Sequence, residues 1–132
     1  MLLAKVFLTL KMKYNKLVRD RIPEIIKKRG GKLKFHVASS NYEFWNKLKE
    51  KLEEECGELL EAIEEYVATE DNEEKLIEET ADFLEVLDAV LRYRGERGGP
   101  LIKSQIPRVM LVKRKKAQKR GQFKKRIILE ES

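Results

Sequence analysis

Two long amphipathic stretches, each with a pair of acidic residues in or beside its apolar face, constrain the fold of this chain most strongly. The first covers residues 40–69, where apolar residues recur at the three- and four-residue spacing of an α-helix. The second covers residues 72–93 and has the same period. A polar turn near residues 70–72 separates them. The sequence therefore predicts an antiparallel helical hairpin.

The acidic pairs lie where apolar residues are expected. On a helical wheel of about 100° per residue, Glu55 falls inside the apolar stripe of the first helix and Glu58 at its edge. In the second helix, Glu79 falls inside the stripe and Asp82 at its margin. Folding the hairpin brings these four carboxylates to one level, where burial and mutual repulsion disfavour their charged forms. We therefore expect a positive group among them.

Four carboxylates in one place offer the hard oxygen ligands that suit Mg²⁺ or Mn²⁺, and they do not suit zinc. The alternative interpretation is a pair of Glu-rich helices whose acids are solvated or are neutralised by Lys51, Lys75 or an arginine. A single pair of acids one turn apart is common on helix surfaces. Two pairs within apolar stripes at matched heights favour the metal site.

The remaining segments indicate a mainly α-helical protein with short extended segments. A short helix is expected to begin near Ile22, with Asp20 as its cap and with Gly30 and Gly31 at its end. A third long helix is expected over residues 104–120. Residues 32–38 alternate apolar and polar side chains, and we expect them to form a strand or extended segment that pairs with residues 123–131.

Charge is distributed unevenly along the chain. Charged residues make up 39% and hydrophobic residues 42% of the sequence, which is typical of a globular protein and not of a disordered one. The net charge is +6, and because the middle of the chain is acidic, the basic excess falls at the two ends. This asymmetry suits a polyanionic partner, either a nucleic acid or a nucleoside triphosphate.

The sequence also bears on location and on the start of the domain. Cys56 is the single cysteine, which excludes an intrachain disulfide and fits the reducing cytoplasm. No apolar run approaches the length of a membrane span, and residues 1–11 are at most a weak signal-peptide candidate. Met12 offers a second translation start. We therefore expect residues 1–13 to be an extension and residues 14–132 to form a single domain.

Two further segments, taken together with the acidic pairs, resemble one known family. Residues 14–24 read YNKLVRDRIPE, residues 54–58 read EECGE, residues 79–82 read ETAD, and Lys116 is followed by Arg120, Gly121 and Phe123. This ordered set resembles the MazG-like all-alpha nucleoside triphosphate pyrophosphohydrolases, in particular a small phosphoribosyl-ATP pyrophosphohydrolase-like branch with this opening. Gly57 and Gln122 depart from the usual residues of relatives, but neither replaces an expected ligand.

The resemblance implies an all-alpha fold that binds Mg²⁺, or Mn²⁺ in its place. It implies hydrolysis between the α- and β-phosphates of a nucleoside triphosphate, which gives a nucleoside monophosphate and pyrophosphate. Relatives form homodimers or higher homo-oligomers, and the apolar surface that a lone hairpin leaves uncovered agrees with this expectation. The implied site residues are the metal ligands Glu55, Glu58, Glu79 and Asp82, the catalytic acids Glu54 and Glu55, and the substrate-binding residues Lys16, Arg19, Lys116 and Arg120.

Other functions stay open from the sequence. A nucleic-acid-binding module would use the basic residues 113–126, would bind with a strong salt dependence and would need no metal. Phosphoribosyl-ATP hydrolysis is a close enzyme alternative. The opening segment YNKLVRDR instead favours the small branch of nucleoside triphosphate pyrophosphohydrolases that shares this opening. A helical oligomer without activity is a further alternative, against which the four acids argue. Within the enzyme interpretation, the expected role is removal of non-standard or damaged nucleotides.

Overall fold

The computed structural model describes residues 15–93 and 106–132, which form α-helices and irregular segments. In chain order the helices are α1 (Ile22–Lys28), α2 (Asn41–Thr69), α3 (Glu73–Arg92) and α4 (Ile106–Arg120). The mainly α fold predicted from the sequence is confirmed. The expected extension, residues 1–13, lies outside the described residues. Within the described ranges, none of the helices is long and apolar enough to cross a membrane.

Helices α2 and α3 form the predicted antiparallel hairpin. In the described part of the chain, these are the two helices that contact each other extensively. Helix α2 begins at a capped end, where the Ser40 side chain accepts a hydrogen bond from the Glu43 backbone N–H at 3.1 Å. This bond satisfies an amide group that the helix itself leaves without an acceptor. At the other end, Glu70 and Asn72 adopt left-handed φ angles of 53° and 67°, which reverse the chain within three residues.

Polar contacts hold the ends of the two helices together at this turn. Lys75 Nζ lies 2.7 Å from Glu65 Oε2, and the side-chain amide of Asn72 donates to Glu65 Oε1. Asn72 makes no capping hydrogen bond to α3 with its side chain. Lys75 therefore neutralises an acid at the turn, and it lies close enough to Glu79 for their charges to interact.

The buried side chains mark the facing sides of the hairpin. Leu48 and Ala62 of α2 and Val86 of α3 are buried. Glu55 and Glu79 lie among them with only 6% and 4% of their surface exposed. The helical wheels therefore placed these two acids correctly in the apolar stripes. Toward the turn the stripe is no longer covered, because Val67 is 70% exposed.

Helix α1 packs through Ile22 and Ile26, which are both buried. The cap expected at Asp20 does not form, because the helix begins after Arg21 and has no side-chain cap. The first turn instead contains Pro23, which has no N–H to leave unsatisfied there.

The two glycines end α1 as predicted. Gly30 takes a φ of 77°, a conformation that side chains other than glycine rarely adopt. At Gly31, an added Cβ would lie 2.7 Å from Ile26 Cγ2. The chain can therefore turn back against the buried side of the helix only because this position lacks a side chain.

The predicted pairing between residues 32–38 and residues 123–131 is wrong. Neither segment contains a strand, and Phe35, Val37 and Phe123 are exposed. Two strands without a hydrophobic layer beneath them are at best marginally stable in water. Alternation of apolar and polar residues therefore indicated only extended chain in these segments.

Helix α4 covers the basic C-terminal part of the chain, and its predicted first residues, 104 and 105, lie outside the described residues. Within the described ranges it makes no extensive contact with the hairpin. Its apolar residues Val109, Met110, Leu111 and Val112 are exposed. Coverage of such surface by a second copy of the chain stays a prediction.

Candidate metal centre

Three carboxylates from the two hairpin helices meet between α2 and α3. Glu55, Glu58 and Glu79 each contribute an oxygen, and these oxygens lie within 4.8 Å of one another. The first two acids are three residues apart on α2 and so project from one side of it, while Glu79 projects from α3. We call these three residues the acid cluster. It contains three of the four metal ligands predicted from the sequence.

The acid cluster is an unfavourable place for negative charge. Burial raises the pKa of Glu55 to about 7, and the nearby charge of Glu58 adds to the rise. Glu55 Oε2 is buried and accepts no hydrogen bond from the described residues. A buried carboxylate oxygen without a donor is costly. A cation within reach of this oxygen would therefore stabilise the cluster.

The donor set fits a hard divalent cation. All three side chains offer carboxylate oxygens, which are the ligands that Mg²⁺ and Mn²⁺ prefer. Glu55 and Glu79 lie on two long helices that pack against each other, so the distance between their backbones is fixed. The geometry is therefore suited to a cation held between the helices.

Asp82, the fourth predicted ligand, lies one helical turn after Glu79. Arg19 Nη2 donates to Asp82 Oδ1 at 2.8 Å. This ion pair joins the segment before α1 to α3. Asp82 is thus near the acid cluster but is paired with an arginine, and its role as a metal ligand stays a prediction.

Glu54, a predicted catalytic acid, is held by two lysines. Lys16 Nζ lies 2.7 Å from both carboxylate oxygens of Glu54. Lys51 Nζ lies 3.8 Å from Glu54 Oε2. Lys16, like Arg19, is therefore beside the acids as the sequence predicted for a substrate-binding cation, but in this structure its contact is to a carboxylate.

Lys116 and Arg120, the other predicted substrate-binding residues, lie on α4 and are exposed. Within the described ranges, neither forms an ion pair or hydrogen bond with the acid cluster. The structure does not bring them together with Lys16 and Arg19. Their contact with a substrate stays a prediction.

Lys51 belongs to this site, although sequence reasoning treated it only as one of several residues able to neutralise acids. Its Nζ lies 3.3 Å from Glu55 Oε1, and its side chain is 20% exposed. Lys51 precedes Glu54 and Glu55 by three and four residues, a spacing that puts all three on one helix face. That spacing is the signal that would have placed it at the site.

Comparison with protein families gives a match that covers more than half of the chain. The model of the MazG nucleotide pyrophosphohydrolase domain matches residues 45–121. This range includes all of α3 and α4, most of α2 and all three residues of the acid cluster. Lys16 and Arg19 lie outside it. Neither the comparison with curated proteins nor that with solved structures gave a match.

Proposed function

Because this chain belongs to the MazG nucleotide pyrophosphohydrolase family, we propose that it hydrolyses a nucleoside triphosphate between the α- and β-phosphates. The products are a nucleoside monophosphate and pyrophosphate. The observation that carries the proposal is the acid cluster, whose three carboxylate oxygens lie within 4.8 Å of one another inside the matched region. A purely structural hairpin would gain nothing from burying such a set.

The proposed cofactor is Mg²⁺, with Mn²⁺ as a substitute, held by Glu55, Glu58 and Glu79 and with Asp82 as a further ligand. Its support is the set of oxygen donors and the buried Glu55 Oε2, which accepts no hydrogen bond from the described residues. When bound, the cation offsets the charge of the carboxylates and phosphates and makes water at the site more acidic.

Glu54 or Glu55 is proposed to orient the attacking water or to accept its proton. Glu54 is the less buried of the two, and contact with Lys16 at 2.7 Å holds its carboxylate in one position. A base needs such a defined position within hydrogen-bond reach of the proton that it accepts. Glu55 is the alternative, since it belongs to the acid cluster, where the metal and its water would be held.

The proposed phosphate-binding residues are Lys16, Arg19, Lys116 and Arg120. Lys16 and Arg19 contact acids at or beside the cluster and so place positive charge where the phosphates would lie. Positive charge there stabilises the charge that develops on phosphate oxygens during cleavage. For Lys116 and Arg120 the support is the C-terminal sequence motif.

The proposed role is removal of non-standard or damaged nucleotides in the cytoplasm by a homodimer or larger assembly of a single-domain chain. Assembly is supported by apolar surface that the described residues leave uncovered. On the hairpin this surface comprises Leu60, Ile63, Tyr66, Val67, Ile77 and Leu84.

The test is product analysis with a panel of standard and modified nucleoside triphosphates, phosphoribosyl-ATP included. Each substrate is incubated with Mg²⁺, with Mn²⁺ and with EDTA, and pyrophosphate and monophosphate are measured. The expected result is metal-dependent release of both products in equal amounts. Release of orthophosphate would place the cleavage at another bond and contradict the proposal.

Nucleic-acid binding is the second candidate, and the charge of the C-terminal part favours it. No acidic residue occurs between residues 106 and 129. Gel-shift titration with single- and double-stranded nucleic acid in EDTA tests this function, since binding there would weaken steeply as salt increases. The basic residues of this range are Arg108, Lys113, Arg114, Lys115, Lys116, Lys119, Arg120, Lys124, Lys125 and Arg126.

A further inference from the structure

Lys51 lies on α2 and forms ion pairs with two acids that have different proposed roles. Its Nζ lies 3.3 Å from Glu55 Oε1 in the acid cluster and 3.8 Å from Glu54 Oε2 beside it. With 20% of its side chain exposed, it is less accessible to water than a typical surface lysine. Its charge is therefore screened less by solvent and salt than that of a surface ion pair.

The charges around Glu55 explain why a cation is needed there before any metal binds. Glu55 is 6% exposed, and its carboxylate contributes an oxygen to the acid cluster, so negative charge there is costly without a positive partner. Lys16 and Arg19 contact other carboxylates, those of Glu54 and Asp82. Among the described residues, Lys51 is the cation that forms an ion pair with the Glu55 carboxylate of the cluster itself.

We propose that Lys51 is a positioning residue that holds the carboxylates of Glu54 and Glu55 in place in the metal-free protein and competes with the metal for Glu55. The inference rests on the proposed function, because it takes the acid cluster to be the metal site. Two cations at one carboxylate repel each other. The charge that stabilises the metal-free site must therefore weaken metal binding.

Three variants separate the charge of Lys51 from the packing of its side chain. Lys51→Met removes the charge and keeps an unbranched apolar chain, while Lys51→Arg keeps the charge. Lys49→Met is the matched control, since Lys49 is exposed and lies about 200° around the helix from Lys51. All three are compared with the unmodified chain at pH 8.

The first measurement is calorimetric titration of nucleotide-free protein with MnCl₂. Lys51→Met is expected to bind Mn²⁺ roughly tenfold more tightly, because an opposing unit charge a few ångströms from the site is removed. Lys51→Arg and Lys49→Met are expected to bind like the unmodified chain. Equal or weaker binding by Lys51→Met would overturn the inference, as would the absence of Mn²⁺ binding by every chain.

The second measurement is thermal unfolding in EDTA and in saturating Mn²⁺. Lys51→Met is expected to unfold at a lower temperature than the unmodified chain in EDTA and at the same temperature in Mn²⁺, because the metal then supplies the missing charge. A decrease of the same size in both conditions would mean that Lys51 acts through packing alone, which contradicts the inference.

Kinetics at saturating Mn²⁺ distinguishes positioning from substrate contact. Lys51→Met is expected to lower kcat and leave KM nearly unchanged, because Glu54 then keeps only Lys16 of the two lysines that hold it in position. A raised KM with unchanged kcat would instead assign Lys51 to phosphate binding and overturn the inference. If Mn²⁺ binds as expected but no chain hydrolyses any nucleotide, the proposed function fails while the inference stands.

Discussion

At the scale of single residues, Glu55 shows best how the site combines opposing effects. It is buried, it lies beside two other carboxylates, and one of its oxygens accepts no hydrogen bond from the described residues. Each of these features destabilises a carboxylate. Lys51, at 3.3 Å, offsets the charge in part. A buried carboxylate in such surroundings indicates a site for a ligand, because it does not stabilise the fold.

The pH dependence of the metal-free protein follows from the raised pKa of Glu55. Its pKa of about 7 in the folded chain exceeds the ordinary value of 4.5, so the folded chain holds this proton more tightly than the unfolded chain. Protonation of Glu55 is therefore expected to increase the free energy of unfolding as the pH falls from 8 toward 5. Unfolding temperatures in EDTA measure this trend, and Glu55→Gln is expected to flatten it.

Glu79→Gln is expected to abolish nucleotide hydrolysis while the chain stays folded. The substitution removes one carboxylate of the acid cluster and replaces it with a neutral side chain of the same shape. Pyrophosphate release and circular dichroism measure the two effects. The matched control is Glu78→Gln, because Glu78 is the exposed neighbour on α3. Undiminished activity of Glu79→Gln would exclude a metal site built on the cluster.

At the scale of helices, the hairpin depends on a narrow set of buried side chains. Leu48 is 1% exposed, and the rest of the apolar stripe of α2 becomes less covered toward the turn. Glu65, Asn72 and Lys75 join the two helices at the turn itself. The end of the hairpin near Leu48 is thus held by packing, and the turn end by polar contacts.

Leu48→Ala is expected to lower the free energy of unfolding by about 2–5 kcal/mol, because it leaves a cavity where no water reaches. Leu60→Ala on the same helix is the control, since Leu60 is 55% exposed and loses far less contact. Urea denaturation measures both values. Equal losses for the two variants would mean that α2 does not pack as described.

Local periodicity was sufficient to predict the helices and the position of Glu55 and Glu79 in the apolar stripes. Both properties depend on residues three or four apart, which the sequence shows directly. The partner of Asp82 could not be predicted, because Arg19 is 63 residues away along the chain. The strand pairing failed for a related reason, since alternation within residues 32–38 carries no information about what lies beside them.

At the scale of the whole molecule, uncovered apolar surface is the main feature. The hairpin exposes residues such as Leu60 and Leu84, and α4 makes no extensive contact with it in the described ranges. Large exposed apolar surfaces mark sites where proteins contact a partner. The surface therefore supports the proposed assembly.

Leu84→Glu is expected to shift the chain from a dimer or larger assembly toward the monomer, because it places a charge on surface that another copy would bury. Sedimentation measures the mass of each species. Val37→Glu is the control, as Val37 is exposed in an irregular segment outside the hairpin. A monomeric unmodified chain would contradict the expectation.

The ion pairs of Lys16 and Arg19 have a consequence for how the protein opens locally. They attach the segment before α1 to α2 and α3 through Glu54 and Asp82, which are acids of the proposed site. Whatever occupies those acids must weaken the attachment. Amide hydrogen exchange in residues 15–28 would then quicken when metal binds without a nucleotide, or at high salt, while the amides of the hairpin stay protected until the whole chain unfolds.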